Sequence, residues 1–263
     1  MSEESRKPYI TIKGFIETLI FALLFVFSDQ TNAQDLEQSL MTIEEYLEEL
    51  KSVESEEGNL FCPNQDGEKW FKYNNCKEFM TLRQQGCYGN STYDMKVEYR
   101  HKNACEEIEA VKQASTVNTN YFILNSKDWW QSLPAEIIPM KGGIYSDKSW
   151  ARGKIELDKL VSGKLLGDLN YKNESVNNDM VKFILGTRIF ESCGEINDIL
   201  LFHPVLLADF DEDGIAELLL KGYRADMSES CPLGSGNSLG ADFSALLKKA
   251  NATERATILP YPK

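Results

Sequence analysis

The chain reads as an α+β protein: a disulfide-stapled helical part first, then an antiparallel β-meander with an acidic loop at one hairpin tip. Three observations predict this. Residues 42–114 carry helix caps and helical spacing of apolar residues. Residues 165–259 break into short apolar runs separated by turn-rich stretches. The six cysteines are an even number, spread over both halves. Helices followed by strands is the order of folds that segregate the two.

The first residues predict a leader rather than structure. Arg6, Lys7 and Lys13 precede the apolar run Leu19-Ile20-Phe21-Ala22-Leu23-Leu24-Phe25-Val26-Phe27, and a polar stretch ends in Thr31-Asn32-Ala33. That is a basic n-region, a short h-region and a small-residue cleavage site, with cutting expected after Ala33. The run, with Glu17 at its edge, is short for a span of about 20 residues. The expected organisation is a signal peptide at 1–33, a helical disulfide-bonded part with its connecting segment at 34–143, and a β domain at 144–263. The cleaved protein is expected to have no membrane segment.

Thr42-Ile43-Glu44-Glu45 is a capping box, and its helix is expected to run to about Val53 with Tyr46, Leu47 and Leu50 as its apolar stripe. Phe61 to Tyr73 reads as an irregular loop holding Cys62. A second helix is expected from Asn75, carrying Phe79, Met80 and Leu82, with Gly86 as its stop. A longer helix, capped within Ser91-Thr92-Tyr93-Asp94, is expected to reach Ala114 with Val97, Ala104, Ile108 and Val111 on one side. His101 lies among its charged residues and reads as a solvated surface group.

The helical period is lost over 115–150. Tyr121-Phe122-Ile123-Leu124 reads as a short strand, and Trp129-Trp130 with Leu133-Pro134 and Ile137-Ile138-Pro139 as a compact apolar cover. Gly142-Gly143 marks a turn and a subdomain boundary. Ile155 to Val161 suggests two turns of helix stopped by Gly163. Strands are expected at 165–171, 181–190, 199–208, 215–223, 241–248 and 256–259. Short connections between them imply a meander.

One stretch demands a specific chemistry. Asp209, Asp211 and Asp213 present carboxylates at alternate positions, and Gly214 follows. Calcium takes six to eight hard oxygens, and a chain that turns at glycine can wrap several around one ion. The EF-hand fails, because its twelfth position would be Leu220 rather than Glu and because the flanks read as strands. The expected unit is strand–loop–strand with a structural Ca2+ held by Asp209, Asp211, Asp213, the Ile215 carbonyl and Glu217. Packed carboxylates repel one another without a cation, which favours this over a solvated acidic tip. The segment resembles the calcium loops of FG-GAP and VCBS-type repeats, Asp-x-Asp-x-Asp-Gly-x-x-Asp/Glu between strands. The likeness covers residues 208–218 and no second copy follows, so it implies an ion site and not a propeller. More loosely, the chain resembles uncharacterised exported bacterial proteins with one such loop in the C-terminal half.

Even cysteines in an exported chain read as disulfides, and no C-x-x-C pair suggests zinc instead. The helices at 75–86 and 92–114 are joined by a short turn near Gly89, so they should pack antiparallel. Counting outward from that turn brings Cys76 to the level of Cys105, and elimination leaves Cys62 with Cys87. In a hairpin centred on Glu212, His203 faces Lys221 and Leu206 faces Leu218. Carried outward, Cys193 faces Cys231.

The chain carries 28 basic and 41 acidic residues, and loss of residues 1–33 removes three and four of them, leaving a net charge of −12. That sign argues against nucleic acid and anionic membrane as partners and suits a basic protein or cell-wall component. Catalytic motifs fail one by one. Gly236-Asn237-Ser238-Leu239-Gly240 matches a nucleophile elbow, but neither histidine, His101 nor His203, follows it. Gly234-Ser235-Gly236 lacks the Gly-Lys-Ser/Thr of a phosphate loop. Two classes of function are expected: an exported, periplasmic or secreted, non-enzymatic module braced by calcium and disulfides, or a carboxylate-dependent hydrolase, glycan-directed by compartment.

Overall fold

The computed structural model describes residues 40–63, 69–89, 92–126, 128–139, 157–169, 172–177, 180–190, 194–227 and 241–261. The expected leader, Gly142-Gly143, Cys193, Cys231 and the Gly236–Gly240 stretch lie outside them.

Helix α1, Ile43–Glu54, starts where its capping box places it. Glu45 N donates to Thr42 Oγ1 (3.2 Å), and Thr42 N donates to Glu45 Oε2 (2.8 Å). Helix α2, Cys76–Gln84, is capped by Asn75, whose Oδ1 accepts from Glu78 N (2.9 Å). It ends at Gly86, which takes the left-handed φ of 84° that a side chain would resist. Helix α3 is Thr92–Gln113. Disulfide Cys76–Cys105 joins α2 to α3, the pairing expected from antiparallel helices, and Cys62–Cys87 ties the segment after α1 to the turn after α2, the pairing expected by elimination.

Between α1 and α2 the structure departs from the expected loop. Strands β1 (Gly58–Cys62) and β2 (Lys69–Tyr73) form an antiparallel hairpin. The aromatic and aliphatic residues Leu60, Phe61, Trp70, Phe71 and Tyr73 favour the extended chain. Phe61 also exchanges backbone hydrogen bonds with Tyr88 (2.8 and 2.9 Å), beside the Cys62–Cys87 bridge.

His101 is the other departure in this half. It is 2% exposed, stacked on Tyr73 (5.2 Å between centroids) and edge-on to Phe79 (4.6 Å). A charged stretch in sequence does not put every position of a helix at the surface. Helical phase puts residue 101 with Cys105 and Ile108, both buried.

The remaining strands are β3 (Lys172–Asn177), β4 (Met180–Phe190), β5 (Gly194–Ala208), β6 (Glu217–Met227), β7 (Ala241–Lys248) and β8 (Thr257–Leu259). They form one six-stranded antiparallel sheet in sequence order, the expected meander. Strand β3 was not expected, because Lys-Asn-Glu-Ser-Val-Asn is polar. As an edge strand it needs only one neighbour. Conversely, 121–124 is not a strand, and 165–169 folds around a 3-10 turn at Leu166–Asp168, where Leu165 N donates to Asp168 Oδ2 (2.9 Å).

Both faces of the sheet are covered. On one, Val205, Leu206, Leu219 and Leu246 pack with Tyr46, Leu50, Phe79, Ile108 and Val111 of the helices. On the other, Phe183, Phe202, Leu220 and Leu247 pack with Trp130, Leu133, Ile137 and Leu166 of the connecting segment. Burial on both sides explains why Leu218-Leu219-Leu220 is an unbroken apolar run rather than an alternation. Trp129 and Trp130 are core: Trp130 stacks on Phe183 (5.7 Å) and Trp129 meets Phe202 edge-on (6.0 Å). Asp35–Lys263 forms one compact unit.

Candidate functional site: the acidic loop

The β5–β6 register carries the loop. His203 faces Lys221 as expected, but a bulge between Pro204 and Leu206 shifts the rest by one residue, so Leu207, not Leu206, faces Leu218. Pro204 has no N–H to give the ladder, and a bulge is where a central strand tolerates it. The freed Val205 carbonyl accepts from Met41 N (2.9 Å) instead.

Two left-handed residues, Glu212 (φ 62°) and Gly214 (φ 85°), curl the chain back on itself. Asp209 is buried at the first position. Its backbone exchanges hydrogen bonds with Ser115 (2.8 and 3.0 Å), just past the end of α3. Its carboxylate accepts from Asp213 N (3.2 Å) and Gly214 N (2.8 Å). Ala216 N donates to the Thr119 carbonyl (2.8 Å), so the segment leaving α3 holds the loop at both ends.

Glu217 is 0% exposed. Its Oε2 accepts from Phe210 N (2.8 Å). Among the described residues no hydrogen-bond donor is directed at Oε1; the Lys248 ammonium stands 3.1 Å from it as an ion pair. Burial pushes the Glu217 carboxyl above the ordinary range, against the pull of the Phe210 N–H and of Lys248. One oxygen each from Asp209, Asp211 and Glu217 lie within 4.8 Å of one another, a group that could hold a metal ion. The donors are all hard carboxylate oxygens, as calcium prefers.

Asp211 and Asp213 are exposed. Each accepts from Lys248 Nζ at 2.6 Å. That bond, with the Ile215 N–H (3.0 Å to Asp213 Oδ1), holds the Asp213 carboxyl below its ordinary range. Here Ile215 contributes its N–H. Burial works against the Lys248 charge, but Asp211, Asp213 and Glu217 outweigh it and hold the ammonium above the ordinary lysine range. Lys248 was missed in the sequence. The β6–β7 register supplies it: Leu218 faces Leu247, which sets Lys248 beside Glu217. No motif links residues so far apart in the chain.

A further buried carboxylate lies away from the loop. Glu107 accepts from the hydroxyls of Tyr46, Ser244 and Tyr261, and Lys221 Nζ is 3.0 Å away. It ties α1, α3, β6, β7 and the C-terminal segment together. A separate shallow pocket of about 340 Å³ is lined by Phe122, Trp129 and Lys249 among others, and Asp128 is its one carboxylate among the described residues.

No known family model, curated protein or solved structure matches the chain. The two disulfides indicate an oxidising, extracytoplasmic environment. Among the described residues no helix is long and apolar enough to cross a membrane.

Proposed function

We propose that the protein is an exported, non-enzymatic binding or structural module of the periplasm or secreted space, and that Ca2+ at the acidic loop is part of its folded form. The observation that carries this reading is the burial of Asp209 and Glu217 at the two ends of the loop. A fully buried carboxylate in a group of like charge is costly without enough positive charge beside it, and the single ammonium of Lys248 leaves the four carboxylates with excess negative charge that a divalent ion would offset more fully. Asp209, Asp211, Asp213 and Glu217 would hold the ion, with the Ile215 carbonyl as a further oxygen. The site would brace rather than react, because its ligands sit at a hairpin tip and the disulfides fasten the layer beneath.

Hydrolysis of a glycoside would ask for two carboxylates flanking a cleft, about 5–10 Å apart. Among the described residues, Glu107 is enclosed by its own partners and Asp128 stands alone in its pocket. The net negative charge suits a basic protein or cell-wall partner.

Thermal melting with calcium and with chelator tests the ion. At a hundredfold excess over Kd, binding to the folded state adds about 2.7 kcal/mol. For a chain of this size that is a rise of roughly 5–10 °C. Magnesium, which demands a stricter octahedron, should raise the midpoint less. Equal midpoints in calcium and chelator would sink the reading.

A further inference from the structure

Strands β5, β6 and β7 bring charges of both signs to one end of the sheet. Asp209 follows the last residue of β5, Glu217 begins β6 and Lys248 ends β7. The Lys248 ammonium lies 2.6 Å from Asp211, 2.6 Å from Asp213 and 3.1 Å from Glu217, and its side chain is only 16% exposed. Three of the carboxylates expected to hold calcium therefore converge on a nitrogen of the same chain.

We propose that Lys248 is the resident cation of the acidic loop and that calcium enters by exchange, the metal in and the ammonium out; the exchange rests on the calcium reading given above. Calcium takes carboxylate oxygens at about 2.3–2.6 Å. An ammonium at hydrogen-bond distance from three of those same carboxylates occupies overlapping space, so the two cations cannot be held together. Lysine suits this role. Its charge is a compact point on a flexible stem, which can swing to solvent while β7 stays paired. Arginine's fixed fork would be harder to accommodate.

The exchange explains how the loop keeps its shape before metal arrives. Glu217, Asp211 and Asp213 would otherwise face one another with no counter-charge. It also makes Lys248 the residue that sets calcium affinity, because every ion bound must first displace it. The held ammonium stabilises the metal-free fold and weakens calcium by the same free energy. Removing it should therefore move two measurements in opposite senses by matching amounts.

The test uses the full exported chain and its Lys248→Met variant, which keeps most of the stem and loses the charge. Calcium affinity is read by titration calorimetry, and metal-free stability by denaturation in chelator. K248M should bind calcium at least tenfold more tightly. Its metal-free stability should fall by the equivalent of that factor, about 1.4 kcal/mol for each tenfold. Lys248→Arg, which keeps a charge, should lose less metal-free stability than K248M. Should K248M be unfolded in chelator, refolding by added calcium replaces the melt, and failure to refold counts against the proposal. Calcium binding of equal strength in wild type and K248M, with metal-free stability unchanged, overturns the exchange alone. Calcium silent in both, with K248M destabilised, overturns the calcium reading and the exchange with it.

Discussion

Replacing Cys76 and Cys105 together by alanine tests how the helical layer supports the loop. The bridge spans 29 residues of sequence. In the chain-entropy treatment, closing a loop of that size removes about 3.6 kcal/mol of freedom from the unfolded chain. The Cys62–Cys87 bridge spans 25. The same treatment gives about 3.5 kcal/mol for it, so the two double variants should cost nearly the same. Lost sulfur packing at these buried positions adds a little to each, for a total of roughly 3–5 kcal/mol. That is a large part of the usual stability of a domain. Denaturant unfolding in chelator should show the midpoint fall while the slope m rises, because the freed unfolded chain exposes more surface. Cys105 lies on α3, and the chain leaving α3 holds Asp209 and Ala216 through Ser115 and Thr119. Calcium should therefore bind more weakly to C76A/C105A than to wild type. A loss below about 1 kcal/mol, or very different losses for the two pairs, would refute the entropic argument.

Three further outcomes are expected. Glu107→Gln leaves Lys221 without its charge partner and puts an amide donor in place of one accepting oxygen, facing either Tyr46 or Ser244 and Tyr261; the cost should be about 2–4 kcal/mol in denaturant unfolding, and a neutral result would deny the network any structural role. Burial pushes the His101 imidazole below its ordinary range, with Glu56, 3.3 Å from Nδ1, opposing it and Tyr73 and Phe79 packed on the ring. The unfolded chain then takes up the proton first, so stability is full above about pH 6.5 and falls on acidification by up to about 1.4 kcal/mol per pH unit; H101F should lack this fall, and parallel wild-type and H101F curves would contradict it. Four cysteines are spent on the two described bridges, so non-reducing peptide mapping should recover Cys193 joined to Cys231, and either one found alkylated as a free thiol would refute that pairing.

What could be read from sequence followed from local rules that the tertiary fold happened to respect. Thr42 and Glu45 fix a helix start between themselves, and Gly86 fixes an end, so α1 and α2 were legible to within a residue or two. The β-meander was legible where its strands are apolar, from β4 to β8, and not at the polar edge strand β3. The register counted from Glu212 was right from Pro204 outward and off by one residue between Pro204 and the tip, since a bulge is set by a missing N–H and by Met41 arriving from elsewhere in the chain. His101 was misread because a charged neighbourhood in sequence says little about one face of a long helix. Leu60, Phe61 and Trp70 carried a strand signal that the intervening polar residues masked. Lys248 had no local signal at all. It becomes part of the site only through the pairing of β7 on β6.

The loop is built in two halves that answer a cation differently. Asp209 and Glu217 are buried and fixed by backbone: one accepts from the N–H groups of Asp213 and Gly214, the other from that of Phe210. Asp211 and Asp213 are exposed, and both are drawn inward by Lys248. The buried pair supplies position through the backbone, and the exposed pair meets the positive charge of Lys248. Calcium tolerates variable coordination, so a half-flexible shell suits it. The fixed half also explains where binding energy can go. Its oxygens are already ordered by the fold, so ordering costs fall on the two aspartates alone. The loop therefore need not fold on binding. A response to the proposed metal would then be confined to Asp211, Asp213 and the lysine they share, while the backbone bonds of Asp209 and Ala216 to Ser115 and Thr119 hold the loop's two ends.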